Sequence, residues 1–241
     1  MNFRKQTYLW AVSALMLALT SCGNSANAGA EAQDASKSPA LSNYFAPVAK
    51  PEAKPDADGF IRRWTLLEPI AKPNRSNTVF VDSYLRQAFV ETEYFPGQFD
   101  VVPNDGDQVT VGEQTLTWHQ FDSKLFNVKL FRFATGLEKE RYGVLFWGVT
   151  VINCTEAIQN VKLAAGSNSA SMWWLNGEEV LLLSGDRRMV MDDGMSAPLT
   201  LKKGKNILRV AVINGPGMSD FCVRFVDEQG NPVKNIQITN N

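Results

Sequence analysis

Past residue 58 the chain reads as short apolar runs separated by turn residues, and most runs have the period of a strand. Residues 60–70 form the first run, closed by Glu68-Pro69. Residues 109–111 and 115–118 flank Gly112-Glu113 as a hairpin, and 127–133 read as a further strand. Residues 143–152 are almost continuously apolar and rich in Val, Phe and Trp, the pattern of a central strand buried on both faces. Val161, Leu163 and Ala165 alternate. Residues 172–175 and 178–183 flank Asn176-Gly177, a hairpin signal because both turn positions require φ > 0. Residues 199–201, 206–213 and 221–227 continue the series, with turns at Lys203-Gly204 and Gly215-Pro216-Gly217. Helical spacing is confined to residues 78–90, where Val81, Leu85, Ala88 and Phe89 share a face and Asn77 stands where a cap would. Residues 95–108, with Pro96, Gly97, Pro103 and Asn104-Asp105-Gly106, read as loop. Many short strands and one short helix predict an all-β, two-sheet sandwich. There is no internal repeat.

Before this region the pattern is different. Residues 23–58 carry ten Ala and four Pro among scattered Ser, Lys and Asp, without apolar period. They read as a flexible tether with a root-mean-square reach of about 35 Å. Ahead of the tether, Arg4 and Lys5 precede an apolar core at residues 9–20. That core is shorter than the roughly 20 apolar residues a membrane-spanning helix needs, so it reads as a secretory signal peptide. It ends in Leu19-Thr20-Ser21-Cys22, which resembles the bacterial lipobox. The resemblance implies that Cys22 is diacylated and becomes the new N-terminus; the alternative is an ordinary signal peptide with an incidental cysteine. Gly23, Asn24 and Ser25 follow, with no Asp in the next position, which resembles the sorting rule for the outer membrane. No acidic run follows of the kind that exports some Bacteroidetes lipoproteins to the surface. The expected organisation is a signal peptide at 1–21, a tether at 22–57 and a domain at 58–241, on an outer-membrane lipoprotein facing the periplasm.

Composition narrows the class further. The 241 residues are 44% apolar and 20% charged, which excludes a disordered chain, a collagen or a coiled coil. Seventeen Gly and eleven Pro suit a turn-rich β protein. A formal net charge of -1 offers no field for a phosphate backbone, so nucleic acid is not an expected partner. With Cys22 committed to an anchor, Cys154 and Cys222 remain. Both fall in or beside strand patterns, where a disulfide and two buried free thiols are both compatible with an oxidising compartment.

Two stretches carry a resemblance. Met172-Trp173-Trp174-Leu175-Asn176-Gly177-Glu178-Glu179-Val180 and Leu201-Lys202-Lys203-Gly204-Lys205-Asn206-Ile207-Leu208-Arg209-Val210 resemble the recurring pattern of galactose-binding-like jelly rolls. Those include the sugar-binding domain of family-two glycoside hydrolases. Gly59-Phe60-Ile61-Arg62-Arg63-Trp64 and Phe221-Cys222-Val223-Arg224-Phe225 resemble non-catalytic domains attached to bacterial acetylxylan esterases. The resemblance implies a jelly-roll β-sandwich and a carbohydrate-binding role. Neighbouring Trp173 and Trp174 must point to opposite faces of their strand, one of them into the sandwich core.

Catalytic chemistry is thin by comparison. There is no Gly-x-Ser-x-Gly, so a nucleophile elbow is absent from the sequence. His119, the single histidine, reads as an edge or core residue. Asp192 and Asp193 are adjacent on an extended chain and point apart, so they cannot flank one glycosidic bond. No cofactor is expected; a structural calcium would draw on Asp186, Asp192, Asp193 and Asp227, whose spacing matches no established loop. The segment 185–194 gathers Asp186, Arg187, Arg188, Asp192 and Asp193, whose forks suit sugar hydroxyls, with Trp118 or Trp174 as the stacking platform. The same residues equally suit Arg–Asp pairs that pin a loop. The expected function is therefore a membrane-anchored, non-catalytic, carbohydrate-binding lipoprotein. The alternatives are an assembly lipoprotein that binds another protein and, less favoured, a small esterase or glycosidase.

Overall fold

The computed structural model describes residues 38–239. The expected signal peptide, Cys22 and the tether up to residue 37 lie outside them. In chain order the elements are α1 (Pro39–Ser42), β1 (Phe45–Pro47), β2 (Arg63–Leu67), β3 (Ile70–Ala71), α2 (Asp82–Arg86), β4 (Gln108–Val111), β5 (Gln114–Ser123), α3 (Leu130–Gly136), β6 (Val144–Cys154), β7 (Ile158–Asn168), β8 (Ala170–Leu175), β9 (Glu178–Leu183), β10 (Gly194–Met195), β11 (Leu199–Leu201), β12 (Gly204–Asn214), β13 (Asp220–Val226) and β14 (Gln237–Thr239).

The fold is mostly β, in two antiparallel sheets. The larger runs β1-β5-β2-β6-β12-β8-β9, with β3 and β14 also on β6 and β4 on β5. The smaller is centred on β7, which carries β13 on one edge and β10 and β11 on the other. β6 is buried at nearly every position and pairs with β12 along its whole length, from Val144 opposite Asn214 to Cys154 opposite Gly204. A strand with apolar neighbours on both faces has no polar side to show, which is why its sequence does not alternate.

Two cores follow from that. Between the sheets, Trp64, Trp173 and Phe221 meet edge to face, with centroids 4.9–6.2 Å apart, among Leu163, Val210 and Val223. On the outer face of the large sheet, Trp118, Trp147 and Trp174 pack with Leu85, Phe89 and Phe95. Trp173 and Trp174 thus occupy opposite faces, and both are buried. Burying one such ring contributes roughly 4–6 kcal/mol of transfer free energy. The hairpin at Asn176-Gly177 has φ of 54° and 87°, the left-handed pair its sequence requires.

Three local expectations are corrected. Residues 127–133 are not a strand: Leu130, Phe133 and Ala134 are buried at helical spacing on α3, with Leu137 packed one turn further on. Val128 and Leu130 imitate a period of two only while the window stops short of Leu137. The folded body also begins before residue 58. Leu41 and Phe45 are buried, β1 pairs with β5, and Ala53 bridges to Ile238. These contacts are largely main-chain pairings and isolated apolar anchors, which leave no periodicity to read. Finally, Asn77 does not cap the helical region. Ser76 accepts the Thr78 amide at 3.2 Å, a 3-10 turn spans Asn77–Val79, and α2 widens into a π turn at Gln87–Glu91. α1, α2 and α3 replace the one expected helix.

Cys154 and Cys222 are free thiols, both buried, on β6 and β13. Burial pushes the Cys222 thiol up to about 12. Among the described residues, no helix is long and apolar enough to cross a membrane.

Candidate functional site

The loop after β9 is held shut by its own charges. Arg187 pairs with Asp193 and donates to the Ser184 carbonyl at 3.1 Å. Asp192, at φ 55°, pairs with Arg224, whose Nε lies 3.1 Å from Oδ1 and whose guanidinium sits 4.9 Å over Phe60. Asp186 accepts from the Asn77 amide at 2.7 Å. The main chain adds Gly185 N–H to Phe80 O at 2.7 Å and Ser169 N–H to Arg187 O at 3.1 Å. Gly166 on β7 lies against this loop, and a Cβ there would overlap the Val190 carbonyl oxygen. Only Arg188 is exposed and without a partner among the described residues.

The expected sugar platform is absent. Trp118 is 0% and Trp174 3% exposed, because both belong to the outer-face core. Trp174 stacks on Trp147 at 5.5 Å and 20° and meets the edge of Phe99 at 5.4 Å. Neither ring presents a face to solvent, so the constellation of Trp118 or Trp174 with Asp186, Arg187, Arg188, Asp192 and Asp193 is corrected to a pinned loop. Asp192 and Asp193 do point to different partners. Asp227, the fourth candidate calcium ligand, accepts the Gln229 and Asn231 amides of its own turn, and those hydrogen bonds hold its carboxyl below the usual range. Among the described residues, no group of three or more His, Cys, Asp or Glu side chains is placed to hold a metal.

An open cleft of about 330 Å³ lies elsewhere, where β3, the start of β5 and the 139–144 segment meet. Pro69, Ala71, Leu116 and Val144 form its apolar walls, and Gln114, Thr115, Lys139 and Glu140 its polar ones. The β4–β5 turn at Gly112, φ 59°, presents Gln114 and Thr115. Both are exposed, and neither side chain has a partner among the described residues. Lys139 is steered from behind: its Nζ lies 3.0 Å from Glu68 Oε2, which also accepts the Thr117 amide at 3.2 Å. Glu68 Oε1 is 3.5 Å from His119 Nε2. Burial works against the Glu68 charge, but His119, Lys139 and the Thr117 N–H outweigh it and hold the carboxyl below its ordinary range. His119 stacks on Phe121 with a 9° interplanar angle and meets the edge of Phe133, so it is a packing residue with a carboxylate neighbour.

Sequence reading passed over this cleft because its residues are ordinary singly. The available signal was the charged run Glu138-Lys139-Glu140-Arg141 closed by Tyr142, an aromatic that is 45% exposed.

The molecule is therefore an antiparallel β-sandwich with its polar cleft at the rim of the large sheet. No family model matches the chain, and no curated protein matches it. Among solved structures it is similar to a PA14 sugar-binding domain from an RTX adhesin, at 9% identity and a TM-score of 0.43, over 72% of this chain and 95% of that one. It is also similar to part of the β-glucosidase from Kluyveromyces marxianus, at 16% identity and a TM-score of 0.33 over 71% of this chain. The match spans 15% of the β-glucosidase's length.

Proposed function

We propose that the chain is a non-catalytic carbohydrate-binding module, tethered to the outer membrane through lipid on Cys22, and that it takes its sugar in the cleft formed by Gln114, Thr115, Lys139 and Glu140. One observation carries this reading: the cleft sets an amide, a hydroxyl, an ammonium and a carboxylate around apolar walls. Sugar hydroxyls both donate and accept, so a site for them needs both capacities, and their C–H faces need apolar contact. Lys139 only donates, Glu140 only accepts, and Gln114 and Thr115 do both. Each hydrogen bond replaces one to water and nets about 1 kcal/mol, so the affinity is modest.

Affinity electrophoresis in gels carrying soluble polysaccharides tests the site. The Gln114→Ala/Thr115→Ala variant loses retardation while its melting temperature stays within about 2 °C of the parent, as exposed side chains without partners allow. Unchanged retardation in a protein that does bind glycan places the site elsewhere. Failure to bind any glycan on an array removes the reading. Incorporation of labelled palmitate, abolished by Cys22→Ala, tests the anchor. A protein partner is the second reading. It is favoured by Val190, Met191 and Met195, three exposed apolar side chains in and beside the pinned loop.

A further inference from the structure

Two arginines beside the cleft lie over aromatic rings and form no ion pair within 4 Å among the described residues, although the charge of Arg141 is felt by the neighbouring Glu140 carboxylate. On α3, Leu130, Phe133 and Ala134 turn inward, which leaves Phe131 and Arg132 on the outer side. In the following loop, Glu140 Oε1 accepts the Arg141 amide at 2.8 Å and the Tyr142 amide at 3.1 Å, and Asn214 Nδ2 donates to Arg141 O at 2.7 Å. That turn sets Arg141 and Tyr142 outward beside Phe131. The Arg132 guanidinium lies 5.2 Å from the Tyr44 ring centroid and 5.9 Å from that of Phe131. The Arg141 guanidinium lies 5.5 Å from Phe131 and 5.4 Å from Tyr142, and the Phe131 and Tyr142 rings meet at 5.7 Å. The order along the surface is Tyr44, Arg132, Phe131, Arg141, Tyr142.

Neither guanidinium has an ion pair or a side-chain hydrogen bond among the described residues. Arg63, Arg86, Arg187 and Arg224, by contrast, each face a carboxylate. A guanidinium beside an aromatic ring spends none of its N–H donors on the ring, so each keeps the fork that suits a two-pronged bond to a carboxylate. Because both groups lie within 6 Å of the Phe131 centroid, they are at most about 11 Å apart. Arg141 and Tyr142 directly follow Lys139 and Glu140, so the strip is continuous with the cleft.

We infer that the glycan taken by the cleft is anionic, a polysaccharide bearing carboxylates on its sugar rings, and that it runs from the cleft across the Arg132–Arg141 strip. The inference rests on the carbohydrate-binding reading above. It assigns the guanidiniums to the uronate carboxylates and the edges of Phe131 and Tyr142 to the ring C–H groups. Charge alone would be served by lysine; the fixed fork is what arginine adds.

The test is affinity electrophoresis of the full chain in polygalacturonate and in neutral galactomannan. Retardation is expected to be stronger in polygalacturonate and to weaken with added salt. Arg132→Ala/Arg141→Ala is expected to lower apparent affinity for polygalacturonate about tenfold and to leave galactomannan unchanged, while Arg132→Lys/Arg141→Lys falls between. The Gln114→Ala/Thr115→Ala variant weakens retardation by both polymers. Equal retardation by the two polymers overturns the inference and leaves the cleft reading standing. A double alanine variant that matches the parent in polygalacturonate does the same. If polyglutamate retards the protein as strongly as polygalacturonate, the strip is a dock for acidic protein and the assignment falls. Retardation by neither polymer overturns the inference, and the cleft reading then stands or falls on the glycan array.

Discussion

Asn206 is the position where one substitution should do most to the fold at least change in volume. The side chain is 0% exposed and makes five hydrogen bonds, the longest from Nδ2 to Cys154 Sγ at 3.9 Å. Its Nδ2 donates to Lys202 O at 2.7 Å and Gly204 O at 3.2 Å, and its Oδ1 accepts from Lys202 N at 2.9 Å and from Asn176 Nδ2 at 3.1 Å. Asn176 then closes the link: its Oδ1 accepts the Ile207 amide at 2.9 Å. The two asparagines of the recognised pattern therefore lock the β8–β9 turn to the turn before β12. Asn206→Ala removes all five bonds and leaves a donor of Asn176 and both main-chain groups of Lys202 short of partners. Lys202 and Gly204 are exposed, so water restores part of what is lost there. Counting the inner bonds as lost at about 1–1.5 kcal/mol each, plus a small cavity, gives a destabilisation of about 3 kcal/mol. In a domain of this size that lowers the melting temperature by about 10 °C. Asn206→Asp keeps the acceptors but turns a carboxylate toward two carbonyls, and it is expected to be at least as costly. Urea denaturation with linear extrapolation measures both variants, with an unchanged m-value expected. A loss below about 1 kcal/mol for Asn206→Ala would show that the turns hold without the clamp, and the reasoning would be wrong.

Gly166→Ala drives a methyl group into the Val190 carbonyl, so the loop backbone must move at a cost of about 1–3 kcal/mol; limited proteolysis should then cut within residues 187–193, and an uncut loop counts against the packing argument. Glu68 has a folded-state pKa below its unfolded value near 4.5, so its contribution is complete above that pH and is lost as pH falls through the lower folded value. The gap in melting temperature between the parent and Glu68→Gln should accordingly shrink on acidification below about pH 4.5, and a constant gap refutes the ion-pair account. Cys222 titrates in the opposite sense: its folded value of about 12 lies above the unfolded 9.0, so its contribution is lost between those values as pH rises. Thiol labelling followed by mass spectrometry should modify Cys222 only in urea, and rapid labelling of the native protein would contradict its burial.

Much of the sandwich was legible because its signals are local. Asn176-Gly177 dictates a left-handed turn whatever surrounds it, and the unbroken apolar run of β6 can only be buried on both faces. Opposed placement of Trp173 and Trp174 follows from strand geometry alone. Exposure does not follow in the same way. That Trp174 ends beneath Phe99 and beside Trp147 depends on the 95–101 segment folding back over the outer face of the sheet, a contact between distant parts of the chain with no local signature. α3 was misread because its helical period shows only when Leu137 is included. β1 was missed because its one buried side chain, Phe45, stands among tether-like residues and sets up no period to read.

The candidate site illustrates a different limit. A sequence counts charged residues, whereas the fold decides which of them are already tied to one another. Segment 185–194 holds two arginines and three aspartates, yet Arg187 is tied to Asp193, Asp192 to Arg224 and Asp186 to Asn77. Freeing any of them for a sugar would break an existing pair, so a new bond there gains little. Arg132 and Arg141 are the reverse case. Their guanidiniums lie 5.2–5.9 Å from aromatic ring centroids and form no ion pair within 4 Å, so a carboxylate arriving there breaks no such pair. Both faces of the large sheet are already covered, one by the second sheet and the other by α2 and residues 95–101. The rim, where β3, the start of β5 and the 139–144 segment meet, is left to combine a cavity, the partnerless Gln114 and Thr115 and two neighbouring arginines without ion pairs, and the search for a ligand should begin there.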